Sequence, residues 1–130
     1  MTSIKIVFAT AAVLGMIHVV LSLLVVRQRF ATQTSLGEGG KEHPSLRLAV
    51  RSHANFTENV PLALILLAGL ALLGAGPKGV AVLSVALVVA RLAHPVGLRL
   101  TPPNLLRGGG ALLTWLVMLV ASADILRHLL

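Results

Sequence analysis

Residues 51–73, RSHANFTENVPLALILLAGLALL, decide the fold. The stretch sets Arg51, His53, Asn55 and Glu58 within about two helical turns and then, past Asn59, is wholly apolar apart from Pro61. Upstream the same segment reaches back to Pro44 and takes in Arg47; downstream it stops at Gly74. About 20 apolar residues suffice for a helix to cross hydrocarbon, so this segment predicts a membrane span with one polar half.

On a helix turning about 100° per residue, Arg47, Asn55 and Glu58 fall at about −40°, +40° and −20° from Arg51. They form one stripe about 80° wide and ~16 Å long, while His53, at about 200°, points elsewhere. A charge in hydrocarbon costs at least ~2.5–3.5 kcal/mol, so the stripe must face protein or water. Pro61 has no N–H and crowds the carbonyl of Thr57, which predicts a kink just beyond the stripe.

The rest of the chain repeats the apolar theme. Of 130 residues, 56% are hydrophobic and 12% charged, and the mean hydropathy is +0.92. A soluble domain of this size needs more charge on its surface. The expected architecture is one all-α domain over residues 1–130, a bundle of four transmembrane helices at about 4–26, 45–73, 80–100 and 105–126. Gly37, Gly39 and Gly40 mark a flexible loop at about 27–43; Gly74 to Gly79 and Thr101-Pro-Pro-Asn104 are short breaks. The first span is longer than the ~7–15 apolar residues of a secretory signal and lacks a small-x-small cleavage site, so it reads as a retained helix. There is no cysteine, which excludes disulfides, thiolate nucleophiles and cysteine metal sites.

The net charge of +7 would suggest nucleic acid in a soluble protein. Here the cations lie at the ends of apolar runs or within them, with no Lys/Arg block and only four aromatics, so nucleic acid is rejected. Arg27, Arg29, Lys41, Arg99 and Arg107 gather at one set of helix ends, against Lys5, Lys78 and Arg127 at the other. The positive-inside rule then puts the long loop in the cytoplasm and both termini outside.

The cations outnumber their partners. Arg47, Arg51, Arg91 and Arg107 belong to the cytoplasmic half, where Glu58 is the one acid within a span. A bland reading has Glu58 pair with Arg51 or Arg91 and glue helices together, but most of the guanidiniums would then stay unpaired, which is costly in a buried setting. Some can snorkel to headgroups. The others fit an anionic ligand. Arg91 and His94 are three apart and share a helix face. Arg107 lies in the first turn of helix four, where the helix dipole also favours an anion. The expected ligand is therefore small, multiply anionic and cytoplasmic. His18 is a packing residue on this reading, Asp124 lies near the opposite membrane face, and no His/Asp/Glu set has metal spacing.

The string Arg51-x-His53-x-Asn55-x-x-Glu58-x-x-Pro61 resembles the second-helix signature of the MAPEG family, the membrane-associated proteins in eicosanoid and glutathione metabolism. The likeness extends to the four spans, the loop after helix one, Arg91-x-x-His94 and Arg107, and is to the small bacterial branch. It implies a homotrimer in the bacterial inner membrane, with glutathione as co-substrate, bound between subunits on the cytoplasmic side, and no metal. By the resemblance Arg51, Asn55, Glu58, Arg91 and His94 would hold glutathione, with Glu58 on its ammonium or orienting an arginine, and Arg47 joins them from the charge stripe. Arg107 would be catalytic, stabilising the thiolate against a lipophilic second substrate arriving through the bilayer. The chain departs from relatives that use tyrosines around glutathione: it has none, and Leu98 stands where one is expected. Ala54 and Gly108 take positions that are arginine and serine in some relatives.

Three functions come into question for such a chain. The first is a glutathione S-transferase or peroxidase acting on lipophilic electrophiles or lipid hydroperoxides, a detoxification activity. The second is a non-catalytic binder of glutathione or an anionic lipid headgroup. The third, a proton-coupled exporter, needs an acidic residue inside the first helix, and that span has none.

Overall fold

The structure, a computed structural model, describes residues 1–101 and 103–130. Its elements are four helices: α1 Thr2–Thr32, α2 Pro44–Leu72, α3 Pro77–Gly97 and α4 Leu105–Leu129. All four are long and apolar enough to cross a membrane, and no strand occurs among the described residues. The Pro102 part of the expected break at 101–104 lies outside the described residues.

Several ends differ from the limits of the apolar runs: α3 stops at Gly97 rather than Leu100, and α4 continues to Leu129. The first helix continues six residues past Val26 to Thr32. Nothing between Arg27 and Thr32 breaks a helix, because polarity ends a membrane span but only Gly, Pro or a cap ends a helix. The stop comes at Gln33, whose left-handed backbone (φ 52°) lets the N–H groups of Gln33 and Thr34 donate to the carbonyls of Phe30 and Arg29. The Arg29 guanidinium then donates to the carbonyls of Thr34, Ser35 and Gly37 at 3.1–3.3 Å, tying the loop to its helix. The loop is therefore 33–43. The third helix begins at Pro77 rather than near Val80, since proline at the first helical position costs no hydrogen bond. Pro61 lies inside α2, which runs through it as one helix.

Buried residues recur at alternating spacings of three and four. In α1 they are Ser3, Val7, Thr10, Leu14 and Leu21; in α4, Gly110, Thr114, Val117 and Ala121. That repeat lines up one packing seam along each helix. The third helix packs against α1, α2 and α4; α2 also packs against α1 and α4. Phe56, Val60, Ala63 and Leu67 of α2 meet Val7, Leu14, Leu21, Leu87 and Val117 in the core. Large apolar side chains such as Phe8, Met16, Ile65, Val85, Leu116 and Leu119 point outward, which is the surface a bilayer requires. Lipid gives no hydrophobic drive between helices, so small residues and satisfied hydroxyls let the seams close. Thr10, Ser52 and Thr114 each donate to the carbonyl four residues back, and Ser3 donates to the Ala75 carbonyl across the bundle at 2.8 Å.

The end of α3 lies tightly against the start of α4. Asn104 caps α4 by accepting from the Arg107 N–H at 2.9 Å, and its own amide donates to the Gly97 carbonyl at 2.9 Å. A Cβ on Gly97 would collide with the backbone of Leu106 and Arg107. Gly97→Ala is expected to lower the melting temperature in detergent by several degrees and to displace Arg107. A melt within a degree of wild type would contradict this packing.

Candidate functional site

A cleft of about 750 Å³ opens where the loop, α2, the end of α3 and the start of α4 converge. The second helix lines it with Arg47, Arg51 and Asn55, spaced four apart and so stacked on one face. The third supplies His94 and Leu98, and α4 supplies Arg107 from its first turn. Glu38 and Lys41 reach in from the loop. Gly37, Gly39 and Gly40 all have positive φ, and a Cβ on Gly39 would stand 3.0 Å from His43 and Leu46. Glycine there lets the loop fold back onto the start of α2.

Among the described residues, four cations and one carboxylate line this cleft. Arg51 and Glu38 stand 3.8 Å apart with both side chains about half exposed, a contact worth no more than ~1 kcal/mol. Arg47 and Arg107 make no ion pair among the described residues. The field inside is positive, and water reaches the cations. An anion with two or more negative groups would find partners on three sides.

Arg91 lies behind the cleft wall, only 2% exposed. It donates through Nη1 to Asn55 Oδ1 at 2.8 Å and through Nη2 to the Gly110 carbonyl at 3.0 Å. Its Nε has no hydrogen-bond partner among the described residues. Gly110 makes the second bond possible, because a Cβ there would sit 2.9 Å from the Ala90 carbonyl oxygen.

Glu58 is exposed and outside the cleft lining, one step further along the α2 stripe toward the apolar half. It has no ion-pair partner among the described residues. The seven residues singled out from the sequence therefore fall into three settings: Arg47, Arg51, Asn55, His94 and Arg107 in the cleft, Arg91 behind it, and Glu58 beside it on the outer face. Sequence reasoning missed Glu38 and Lys41, whose signal was a charged pair within a glycine-rich loop. His18 packs against His53 and Phe56, with ring centroids 4.8 and 5.8 Å away, which is a core role. No group of three His, Cys, Asp or Glu side chains able to hold a metal is found among the described residues.

The model of the MAPEG family matches residues 7–126. The chain belongs to the MAPEG family. No curated protein and no solved structure matches it significantly. As a MAPEG protein with four apolar helices it is an integral membrane protein, of a family tied to glutathione and eicosanoid metabolism. Within this MAPEG bundle, Leu98 faces the cleft where a tyrosine hydroxyl was expected. Gly108 is exposed with open space around it, so no side chain supports Arg107 from that position.

Proposed function

We propose that the cleft binds glutathione and that the protein is a membrane-bound glutathione S-transferase or peroxidase. The observation that carries this reading is the cleft's excess of cations, Arg47, Arg51, Arg107 and Lys41 against Glu38, in a MAPEG chain. Glutathione brings two carboxylates, an ammonium and a thiol, and is therefore anionic overall at neutral pH. Arg47 and Arg51 take carboxylates, Asn55 and His94 add hydrogen bonds, and Arg107 stands by the thiol. A thiol with a pKa of about 8.5 is mostly protonated at neutral pH, so a fixed cation raises the thiolate fraction. The thiol proton passes to solvent; the sulfur then bonds to an electrophilic carbon, and the leaving group departs with its electron pair. With a hydroperoxide, the sulfur takes the distal oxygen and the alcohol leaves; a second glutathione closes the disulfide and releases water.

Glu58 supports assembly with further copies of the chain. An exposed carboxylate at membrane depth must meet protein or water. A homotrimer would cover it, and cross-linking in detergent should trap three chains. Cytoplasmic placement of the cleft, with both termini on the far side of a bacterial inner membrane, follows from the cation count of the helix ends.

Titration of glutathione into detergent-solubilised protein should saturate, and turnover of chlorodinitrobenzene should release chloride. The second reading is a non-catalytic binder of glutathione or of an anionic lipid headgroup. One observation favours it: among the described residues, no hydroxyl side chain lines the cleft. Saturable binding without any turnover would select it. Glu38→Gln gives a further check. Removing the competing carboxylate from Arg51 should tighten glutathione binding by up to about fivefold, the most that an exposed pair of ~1 kcal/mol can withhold. Weaker binding in this variant would mean that Glu38 is itself a ligand contact.

A further inference from the structure

Arg91 is out of reach of the cleft, yet one of its hydrogen bonds determines what the cleft offers. A guanidinium has donors and no acceptor, so the Asn55 atom facing it must be the carbonyl oxygen. That leaves the Asn55 NH₂ on the other side, where it has no protein acceptor among the described residues. Asn55 lines the cleft, and the NH₂ is the half of its amide free to serve a ligand. Arg91 in turn is held by the Gly110 carbonyl, a backbone atom of α4, and by burial at 2% exposure. The buried guanidinium thus sets the orientation of the half-buried amide.

We propose that Arg91 is a positioning residue that locks the Asn55 amide with its donor toward the cleft, so that this point selects an acceptor atom, a carboxylate or a carbonyl oxygen. An asparagine free to rotate would show its oxygen half of the time and repel the same group. The charge of Arg91 adds to the effect. Among the described residues no carboxylate pairs with it, and a hydrogen bond from a cation polarises the amide and strengthens its outward donor. A buried cation with neutral partners alone is a poor device for holding helices together. It is a good one for fixing a donor.

The proposal rests on the reading of the cleft as a glutathione site and is tested with Asn55→Asp. The variant keeps the shape and an acceptor for Arg91, but turns an oxygen into the cleft in place of the NH₂. Melting in detergent without ligand and glutathione affinity by titration are measured together. The expected result is a melting temperature at or above wild type, because the buried cation gains a carboxylate, with affinity at least 30-fold weaker. Affinity within threefold of wild type would overturn the proposal. So would a lowered melting temperature, since Arg91 would then not be facing residue 55. Arg91→Met supplies a second line: with the lock removed, affinity should fall about 5- to 10-fold, and unchanged affinity in folded protein would count against the role. A wild-type protein that fails to bind glutathione would overturn the proposed function itself, a result distinct from wild-type binding that neither variant alters.

Discussion

Replacing Arg51 by alanine is expected to weaken glutathione binding by about 10- to 100-fold while leaving the fold intact. A charge-assisted hydrogen bond contributes about 1.5–3 kcal/mol, and each 1.4 kcal/mol is a factor of ten in affinity. Arg51 has little else to do in the folded chain. Its side chain is 54% exposed, and its contact with Glu38 is long at 3.8 Å. The melting temperature in detergent should therefore stay within a degree or two of wild type. Titration of the variant beside the wild type checks both halves, and equal affinity would remove Arg51 from the site. Raising the salt concentration should weaken wild-type binding more than binding to the variant, since one screened contact is already gone.

The second large effect is expected at Arg107. Its alanine variant should lose about 100- to 1,000-fold in kcat/KM for glutathione conjugation, the range seen when a donor to a developing or bound anion is removed. Glutathione affinity should fall far less, because in the proposed binding mode Arg47 and Arg51 still hold the carboxylates. The thiolate has an ultraviolet band that the thiol lacks, so a difference spectrum of bound glutathione gives a readout independent of turnover. It should show the thiolate band in wild type and its loss in the variant. Retention of both the band and the rate in Arg107→Ala would show that the thiolate is stabilised elsewhere. Arg107 owes its place to backbone features: the Asn104 cap on its own N–H, and Gly97, which lets the start of α4 lie against the end of α3. Each can be altered without replacing the arginine itself.

The bundle was legible because hydrocarbon tolerates few solutions. Four apolar runs separated by glycine and proline can only be four helices, and the Arg47, Arg51 and Asn55 stripe follows from 100° per residue. Helix ends were less legible. Hydropathy marks where the bilayer stops, and α1 continues past that point to Thr32 because its polar tail still favours helix. The settings of Arg91 and Glu58 were beyond a one-dimensional reading. Arg91 shares a face with His94, but only the crossing of α3 with α4 at Gly110 decides that His94 reaches the cleft and Arg91 stays behind it. Glu58 shares the stripe with Arg51, yet the cleft lining includes Asn55 and stops short of it. Glu38 was hidden for a different reason: a loop's return path depends on positive-φ glycines, and these say that a turn occurs without saying where it leads.

These placements refine the charge argument. The excess of arginine over acid first pointed to an anion with Glu58 as the sole counterweight. In the folded chain the counterweight within the cleft is Glu38, and the net positive field survives that exchange. On the proposed reading, the absence of tyrosine leaves Arg107 as the one cation among the described residues at the α4 end of the cleft to stabilise a thiolate. The proposed chemistry therefore depends on it more heavily than on any other side chain.

An experimental structure at saturating glutathione tests the central claim most directly. The account predicts continuous density for the tripeptide in the cleft, with carboxylates on Arg47 and Arg51, an acceptor on the Asn55 NH₂ and the sulfur beside Arg107. A cleft that stays empty of glutathione, or that holds a lipid headgroup in its place, would contradict it.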